Sequence, residues 1–414
     1  MTTAQQITVL PRPDAYSPSW WLAFAGWTRH GRDPVLLKGA LGPDCPGPGE
    51  VDRAVRRLHA ASGEGRRLRI YVGDARRDDL ARRVLDGPLA DGPVFRAMQQ
   101  RTGADRLAFV VNDLQDWSPA LTEHLGGILM SMAPYRGLPP FGAEQILFAG
   151  NYAGTPFGAH QGFEHAFLCH LGPADKMFYL WSTEAYRALT GGTADVADYE
   201  PLLPHGVALR LEPGDVLYLP AYWFHIGTQS EYSCSVAVGM YDFPLERWLG
   251  PAVARTLAAS EPWPTSDYAP FAADGRPLGR RAAELLASVQ ASLPDALDDR
   301  WLRCASNAGF QRKRRLPPAA PRLAPGDRVR VRRPFQVCWR PRPGDRGALD
   351  VYLRHERVSV AAHAAWPAIL RGLNAGATPT IDELAGLLGA PWTAAHALAV
   401  AQALAATGGL ERAV

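Results

Sequence analysis

The residues best equipped for chemistry lie between Gly154 and Trp181, where His160, Glu164, His165 and His170 are set among Phe163, Phe167, Leu168, Phe178 and Leu180. Their expected complement is His225, at the end of Pro213-Gly-Asp-Val-Leu-Tyr-Leu-Pro-Ala-Tyr-Trp-Phe-His225. Histidines and an acid interleaved with core residues are what a metal site on strands looks like. Two neutral imidazoles and one carboxylate, with coordination positions left open, form the ligand set of non-haem Fe(II); the same donors suit Mn, Ni or Zn. In a strand, residues i, i+2 and i+4 share a face. One continuous strand would therefore point His160, Gly162 and Glu164 the same way, His165 away, and His170 back again further along.

The elements that must position these groups are short. At 414 residues the chain is long for one core, so two or three domains are expected. Hydrophobic content of 47% and charged content of 21% are those of a soluble globular protein, and a net charge of +3 is too small to argue for nucleic acid. Five cysteines, odd in number and never spaced Cys-x-x-Cys, argue against a disulfide framework or structural zinc and for a reducing cytoplasm. The N-terminus lacks a basic region leading into an apolar run, so no signal peptide is expected, and no apolar run is long enough for a bilayer.

An aromatic helix around Ser19–Phe24 precedes a strand at 33–39, a helix at 50–61 and strands at 68–73 and 107–112. A helix at 117–132 and a strand at 145–150 lead into the central stretch. Pro213-Gly214 marks a turn between two strands within 206–220, and 233–241 alternates as another strand. Short strands with frequent turns predict a β-sandwich or barrel. Beyond Pro244 the chain turns Ala/Leu-rich and helical at 245–260 and 278–293, with a basic, Pro-rich linker at 311–325. Strand-like pieces at 329–331, 351–353 and 358–360 then precede helices at 366–374, 381–388 and 392–406, the middle one opened by the capping box Thr380-x-x-Glu383. The pattern predicts a winged-helix-like module. Its last helix carries no Arg or Lys, which favours packing or partner recognition over reading DNA.

A cupin barrel takes ligands from one strand as His-x-His followed by Glu, and from a later one as Gly-(x)5-Pro-x-Gly-(x)2-His. The second pattern is present as Gly214, Pro220 and His225, with Tyr222 where glycine would stand; in the first, His160 and Glu164 fit and Gly158 replaces the other histidine. With Pro34-Val-Leu-Leu-Lys-Gly39, Thr155-Pro-Phe-Gly-Ala-His160 and Lys176 before Phe178-Tyr-Leu-Trp181, residues 15–245 resemble a JmjC-type, cupin-like Fe(II)/2-oxoglutarate oxygenase. The order of parts further resembles bacterial ribosomal-protein oxygenases. The resemblance implies a double-stranded β-helix core with flanking N-terminal helices in residues 1–245, a helical dimerisation segment and linker in 246–320, and a winged-helix-like α+β domain in 321–414. It also implies His160 and His225 as metal ligands, Lys176 on the distal carboxylate of 2-oxoglutarate, and Thr155 donating a hydroxyl hydrogen bond.

The family's His-x-Asp/Glu carboxylate would stand at 162, and this chain has glycine there. Either Glu164 supplies the carboxylate, or a halide takes its place as in halogenases with His-x-Gly, or the site is degenerate or holds another metal without redox work. The leading expectation is ferrous iron on His160, Glu164 and His225, with 2-oxoglutarate and O2 as cosubstrates and a C–H bond of a peptide or protein side chain hydroxylated. Halogenation, a non-catalytic scaffold, and a metal-dependent isomerase or lyase are the alternatives. For His165 and His170 the core reading is favoured. The helices of 246–293 predict a homodimer; no membrane or nucleic-acid partner is expected.

Overall fold

The computed structural model describes residues 7–11, 16–61, 68–73, 75–155, 157–192, 198–241, 249–254, 258, 276–311 and 322–413. The expected 311–325 linker falls largely outside them, as do the boundary at 245–246 and most of the 245–260 helix, of which 249–254 is helical. The chain forms two compact units, Met1–Asp242 with Ala308–Leu316, and Phe243–Asn307 with Pro317–Val414.

The first unit opens with β1 (Thr8–Leu10) and α1 (Pro18–Trp27), where the Ser17 hydroxyl caps the N–H of Trp20. Then come β2 (Val35–Leu37), α2 (Pro48–Ala60), β3 (Leu68–Val72), β4 (Ala75–Arg76), α3 (Asp78–Leu85), α4 (Val94–Thr102), β5 (Ala108–Val111) and α5 (Pro119–Arg136). The strands that carry the site are β6 (Ala143–Tyr152), β7 (His160–Gln161), β8 (Glu164–Pro173) and β9 (Lys176–Trp181). After α6 (Thr183–Thr190) come β10 (Val207–Leu211), β11 (Val216–Leu219) and β12 (Phe224–Tyr241). They join in one sheet of order β1-β2-β11-β8-β12-β6-β5-β3-β4, with β7 and β9 also on β12 and β10 on β9. Among the described strands of this sheet, β1–β2 is the one parallel pair.

β12 is the pivot. Its 18 residues serve two sets of partners: Phe224–Thr228 pairs with β7 and β9, and Gln229–Tyr241 with β6 and β8. Inside lie Leu168, Phe178, Leu180, Leu217 and Ala237, apolar residues at alternate positions of these strands. The Pro213-Gly214-Asp215 turn proves to be a brace. The buried Asp215 carboxylate accepts from Lys38 Nζ at 2.6 Å, from the Gly39 N–H at 2.8 Å and from the Glu212 N–H at 2.8 Å, which ties β11 to β2.

One sequence expectation needs correcting here. His160 and Glu164 do not ride a single strand, because the chain breaks at Gly162–Phe163 and passes from β7, paired to one half of β12, into β8, paired to the other. Strict alternation across that break does not hold.

The second unit is built around Val329, Val351, Leu353, Trp366, Leu370 and Leu404. A helix, α7 (Arg276–Ser306), runs on well past the expected end at 293 and through Pro294. It is followed by β13 (Val329–Val331), the three-stranded β14 (Cys338–Arg342), β15 (Asp345–Leu353) and β16 (Glu356–Ala361), then α8 (Trp366–Asn374), α9 (Ile381–Leu388), α10 (Ala394–Ala406) and β17 (Leu410–Arg412). The Thr380/Glu383 capping box opens α9 as expected. Among the described residues no helix is long and apolar enough to cross a membrane.

Candidate functional site

His160 and His225 face each other directly across the β7–β12 pairing, with ring centroids 4.4 Å apart. The same local device orients both rings. His160 Nδ1 donates to the carbonyl of Gly158 at 2.9 Å, and His225 Nδ1 donates to the carbonyl of Trp223 at 3.0 Å. A carbonyl two residues upstream thus fixes the tautomer, so Nε2 is the nitrogen that carries the lone pair in each ring. Phe178 stacks on His225 at 5.5 Å and Phe157 packs edge-on against His160 at 5.1 Å. Burial first, then the neighbouring His160, pushes the His225 pKa down to about 3, so the ring stays neutral.

Glu164 lines the same cavity, beside Gly162. A Cβ at Gly162 would fall 2.6 Å from Glu164 Oε2 and 2.8 Å from Oε1. The carboxylate of Glu164 therefore fills the space into which a side chain at 162 would project. Burial raises its pKa, while the backbone N–H groups of Glu164 and Phe163 hydrogen-bond the carboxylate and oppose that shift; the charge of Glu144 adds to it. With its oxygens turned to backbone N–H groups, the acid is not already closed onto the imidazoles. Among the described residues no three His, Cys, Asp or Glu side chains converge as a ready ligand set.

The cavity is walled by Ile146, Phe148, Leu168 and Ala237. Lys176, on β9, lines it at only 3% exposure. Its Nζ donates to the Tyr152 hydroxyl at 3.0 Å and lies 5.5 Å from that ring's centroid. Among the described residues no carboxylate pairs with it. A buried ammonium in that position is costly unless an anion joins it. Gly227 makes the space: a Cβ there would meet Lys176 Cε at 2.6 Å. Thr155 lines the cavity too, but its hydroxyl donates to the Gly227 carbonyl at 3.1 Å and accepts from the Gly227 N–H at 2.9 Å. It clamps the residue that gives Lys176 room.

His165 and His170 stay outside. His165 Nδ1 bonds the Tyr218 hydroxyl at 2.9 Å, on another cavity lined by Arg136 and Tyr241. His170 is fully buried, with Nδ1 on Ser235 Oγ at 2.9 Å and Nε2 on the Ala174 carbonyl at 2.8 Å. Burial, with the positive charge of Lys176, pushes its pKa down to about 4. The parts that sequence reasoning missed are Gly227 and the role of Tyr152, whose only signal was a tyrosine and a glycine near strand ends.

No protein-family model matches the sequence, and no curated protein does. The fold, however, is similar to that of solved structures. A crystal structure of the Escherichia coli ribosomal oxygenase YcfD has a TM-score of 0.55 at 18% identity, over 95% of this chain and 98% of that one. YcfD in complex with cobalt and succinic acid gives 0.54 and YcfD with cobalt and 2-oxoglutarate 0.53, both at 18% identity and with the same coverage. At that identity the likeness is one of fold.

Proposed function

We propose that this protein is an Fe(II)- and 2-oxoglutarate-dependent oxygenase that hydroxylates an unactivated C–H bond, on a peptide or protein side chain. The observation that carries the reading is a buried lysine with no carboxylate partner among the described residues, lining the same cavity as a pair of facing imidazoles. That arrangement suits a dicarboxylate held at one end by a cation and at the other by a metal. The YcfD complexes with cobalt and 2-oxoglutarate or succinic acid support it, since that protein shares the fold.

The residues fit such a metal. His160 and His225 offer two neutral imidazoles, and Glu164 offers a carboxylate in the space that Gly162 leaves open. When bound, the metal and cosubstrate supply the oxidation of 2-oxoglutarate by O2 to succinate and CO2, coupled to hydroxylation. The chain supplies the rest. Lys176 holds the distal carboxylate, Tyr152 steadies the ammonium, and Thr155 keeps Gly227 back from it. The Gly158 and Trp223 carbonyls set the ring planes, and Phe178 stacks on His225.

Around this centre the proposal keeps the double-stranded β-helix for residues 1–245, the helical segment of 246–320 as a homodimer contact, and a winged-helix-like domain in 321–414. A cytoplasmic location goes with it. The test is succinate formation from 2-oxoglutarate by the full chain loaded with ferrous ion, alongside Co(II) titration followed by absorption. Wild type is expected to bind the metal and turn over, and His225→Ala to lose both; retained turnover in that variant overturns the reading. A halogenated product in chloride or bromide would move it to halogenation, and a purified protein that takes up no first-row metal would move it to a scaffold.

A further inference from the structure

A second cavity lies behind β8. Glu164, Ala166 and Leu168 turn to the central cavity, and the residues between them, His165 and Phe167, line another on the opposite face. β11 divides in the same way, with Leu219 on the central side and Tyr218 on the other. To this outer cavity α1 contributes Phe24, α5 Met132 and Arg136, and β12 Met240. The oxygenase chemistry proposed above uses none of these side chains.

Three polar groups from three elements converge on one buried point. Gly31 is buried with φ at +88°, and a Cβ there would lie 3.2 Å from the Tyr218 hydroxyl, 3.8 Å from Arg136 Nη2 and 3.9 Å from His165 Cε1. The Tyr218 hydroxyl lies 2.9 Å from His165 Nδ1, and the Ala221 N–H donates to that same nitrogen at 3.4 Å. An imidazole nitrogen that accepts from a backbone N–H carries its lone pair, so this ring is neutral. Burial raises the Tyr218 pKa and the charge of Arg136 opposes it, leaving a phenol. The guanidinium is then the full charge of this trio.

Arg136 ends α5, where a cation pointing outward would already suit the helix dipole. Its Nη2 instead reaches back over buried Gly31, and among the described residues no carboxylate pairs with it. No described Asp or Glu lines the cavity either; beyond the guanidinium its walls include Phe24, Met132, Leu138, Phe167 and Met240. A planar cation above an apolar slot is complementary to a planar anion with an apolar body. One positive charge balances a carboxylate, whereas a doubly charged phosphate would be left half answered.

We infer that this outer cavity binds a monocarboxylate with an apolar body, its carboxylate on Arg136 and its body against Met132, Phe167 and Met240. The site is separate from the central one, and the inference does not depend on the oxygenase reading.

The test is calorimetry on the full chain. The probes are 3-phenylpropionate for a free acid, N-acetylphenylalanine for the end of a polypeptide, and the amide of each as its uncharged counterpart. At least one acid is expected to bind tenfold or more tightly than its amide, and the tighter acid identifies the source. Acetate, which lacks the apolar body, is expected to bind at least tenfold more weakly than that acid. Arg136→Gln is expected to erase the preference for acid over amide with Tm unchanged, since the residue is exposed. Lys176→Met, which removes the cation of the central cavity, is expected to keep it. Acids no tighter than their amides, or a preference that survives in Arg136→Gln, overturns the site. So does a preference lost in Lys176→Met, which would place the acid beside the buried lysine. Inorganic phosphate or acetate binding as tightly as the better acid overturns the assignment to a monocarboxylate with an apolar body.

Discussion

The two units of this chain treat their buried interiors differently. The second closes Val329, Leu353, Leu370 and Ile381 to solvent completely, and its buried carboxylate has an opposite charge nearby: Ser359 donates to Asp350 Oδ1 at 2.6 Å, and the Arg357 guanidinium stands 3.7 Å from Oδ2, which accepts no hydrogen bond. The first leaves a cavity, and the charge buried at its wall, Lys176, has a phenol oxygen for company. Close packing with each buried charge set near an opposite one is what stability alone produces. Empty volume beside an unanswered ammonium is what a ligand site produces. The contrast separates the unit where a side chain is kept for the fold from the one where it is kept for a reaction.

The largest effects test that contrast directly. Leu370→Ala in the second unit should cost roughly 2–5 kcal/mol in urea denaturation, the ordinary range for emptying a packed leucine site. Lys176→Met should do the opposite, leaving stability equal or higher because it removes an uncompensated buried charge. Its 2-oxoglutarate affinity, measured by calorimetry on the Co(II)-loaded protein, should fall by about tenfold or more, or about 1.4 kcal/mol. If Lys176→Met unfolds the protein as Leu370→Ala does, the lysine is structural and the contrast fails.

An acid titration sharpens the same comparison within the first unit. His170 is neutral in the fold, with a pKa near 4 against an ordinary histidine value when unfolded. The unfolded chain therefore binds more protons between those two values. Stability contributed by the neutral ring is complete above about pH 6.5 and is lost as pH falls towards 4, on the order of 3 kcal/mol in all. Urea midpoints at pH 7, 5.5 and 4.5 should fall for wild type and fall less for His170→Gln; equal slopes would remove this histidine from the account.

The site's own geometry yields a smaller, sharper effect. A methyl group at Gly162 would displace the Glu164 carboxylate, so Gly162→Ala should weaken Co(II) binding by about tenfold, or about 1.4 kcal/mol, although no donor is removed. Gly162→Asp brings its own carboxylate to that space and should bind better than Gly162→Ala. If Gly162→Ala binds the metal as wild type does, Glu164 is not the third ligand and an anion from solution becomes the better candidate.

Much of this was legible in the sequence, and what was not has physical causes. The strands were marked by apolar runs and by turn residues such as Pro213-Gly214, and the pairing of His160 with His225 by motif spacing. The break at Gly162–Phe163 was invisible, because alternation reads the same whether a strand continues or changes partners. The space for Lys176 depends on Gly227 on the neighbouring strand β12, far off in sequence, and no local pattern records what a missing Cβ makes room for. The long run of α7 through Pro294 was also unreadable, since proline ordinarily marks an end to a helix.

Two threonines reduce the comparison to a single side chain each. Thr380 Oγ1 accepts from the Glu383 N–H at 3.0 Å at the exposed start of α9, a capping role. Thr155 makes the same kind of backbone bond, but buried, to a glycine that faces Lys176. Thr380→Ala should cost about 1 kcal/mol in thermal or urea unfolding, as loss of a helix cap does. Its Co(II) and 2-oxoglutarate affinities should stay at wild-type values. Thr155→Val should lower stability and 2-oxoglutarate affinity together, because the clamp on Gly227 loosens where the lysine needs it. An affinity loss in Thr380→Ala matching that in Thr155→Val would mean that binding follows global stability, and the division of labour between the units would have to be abandoned.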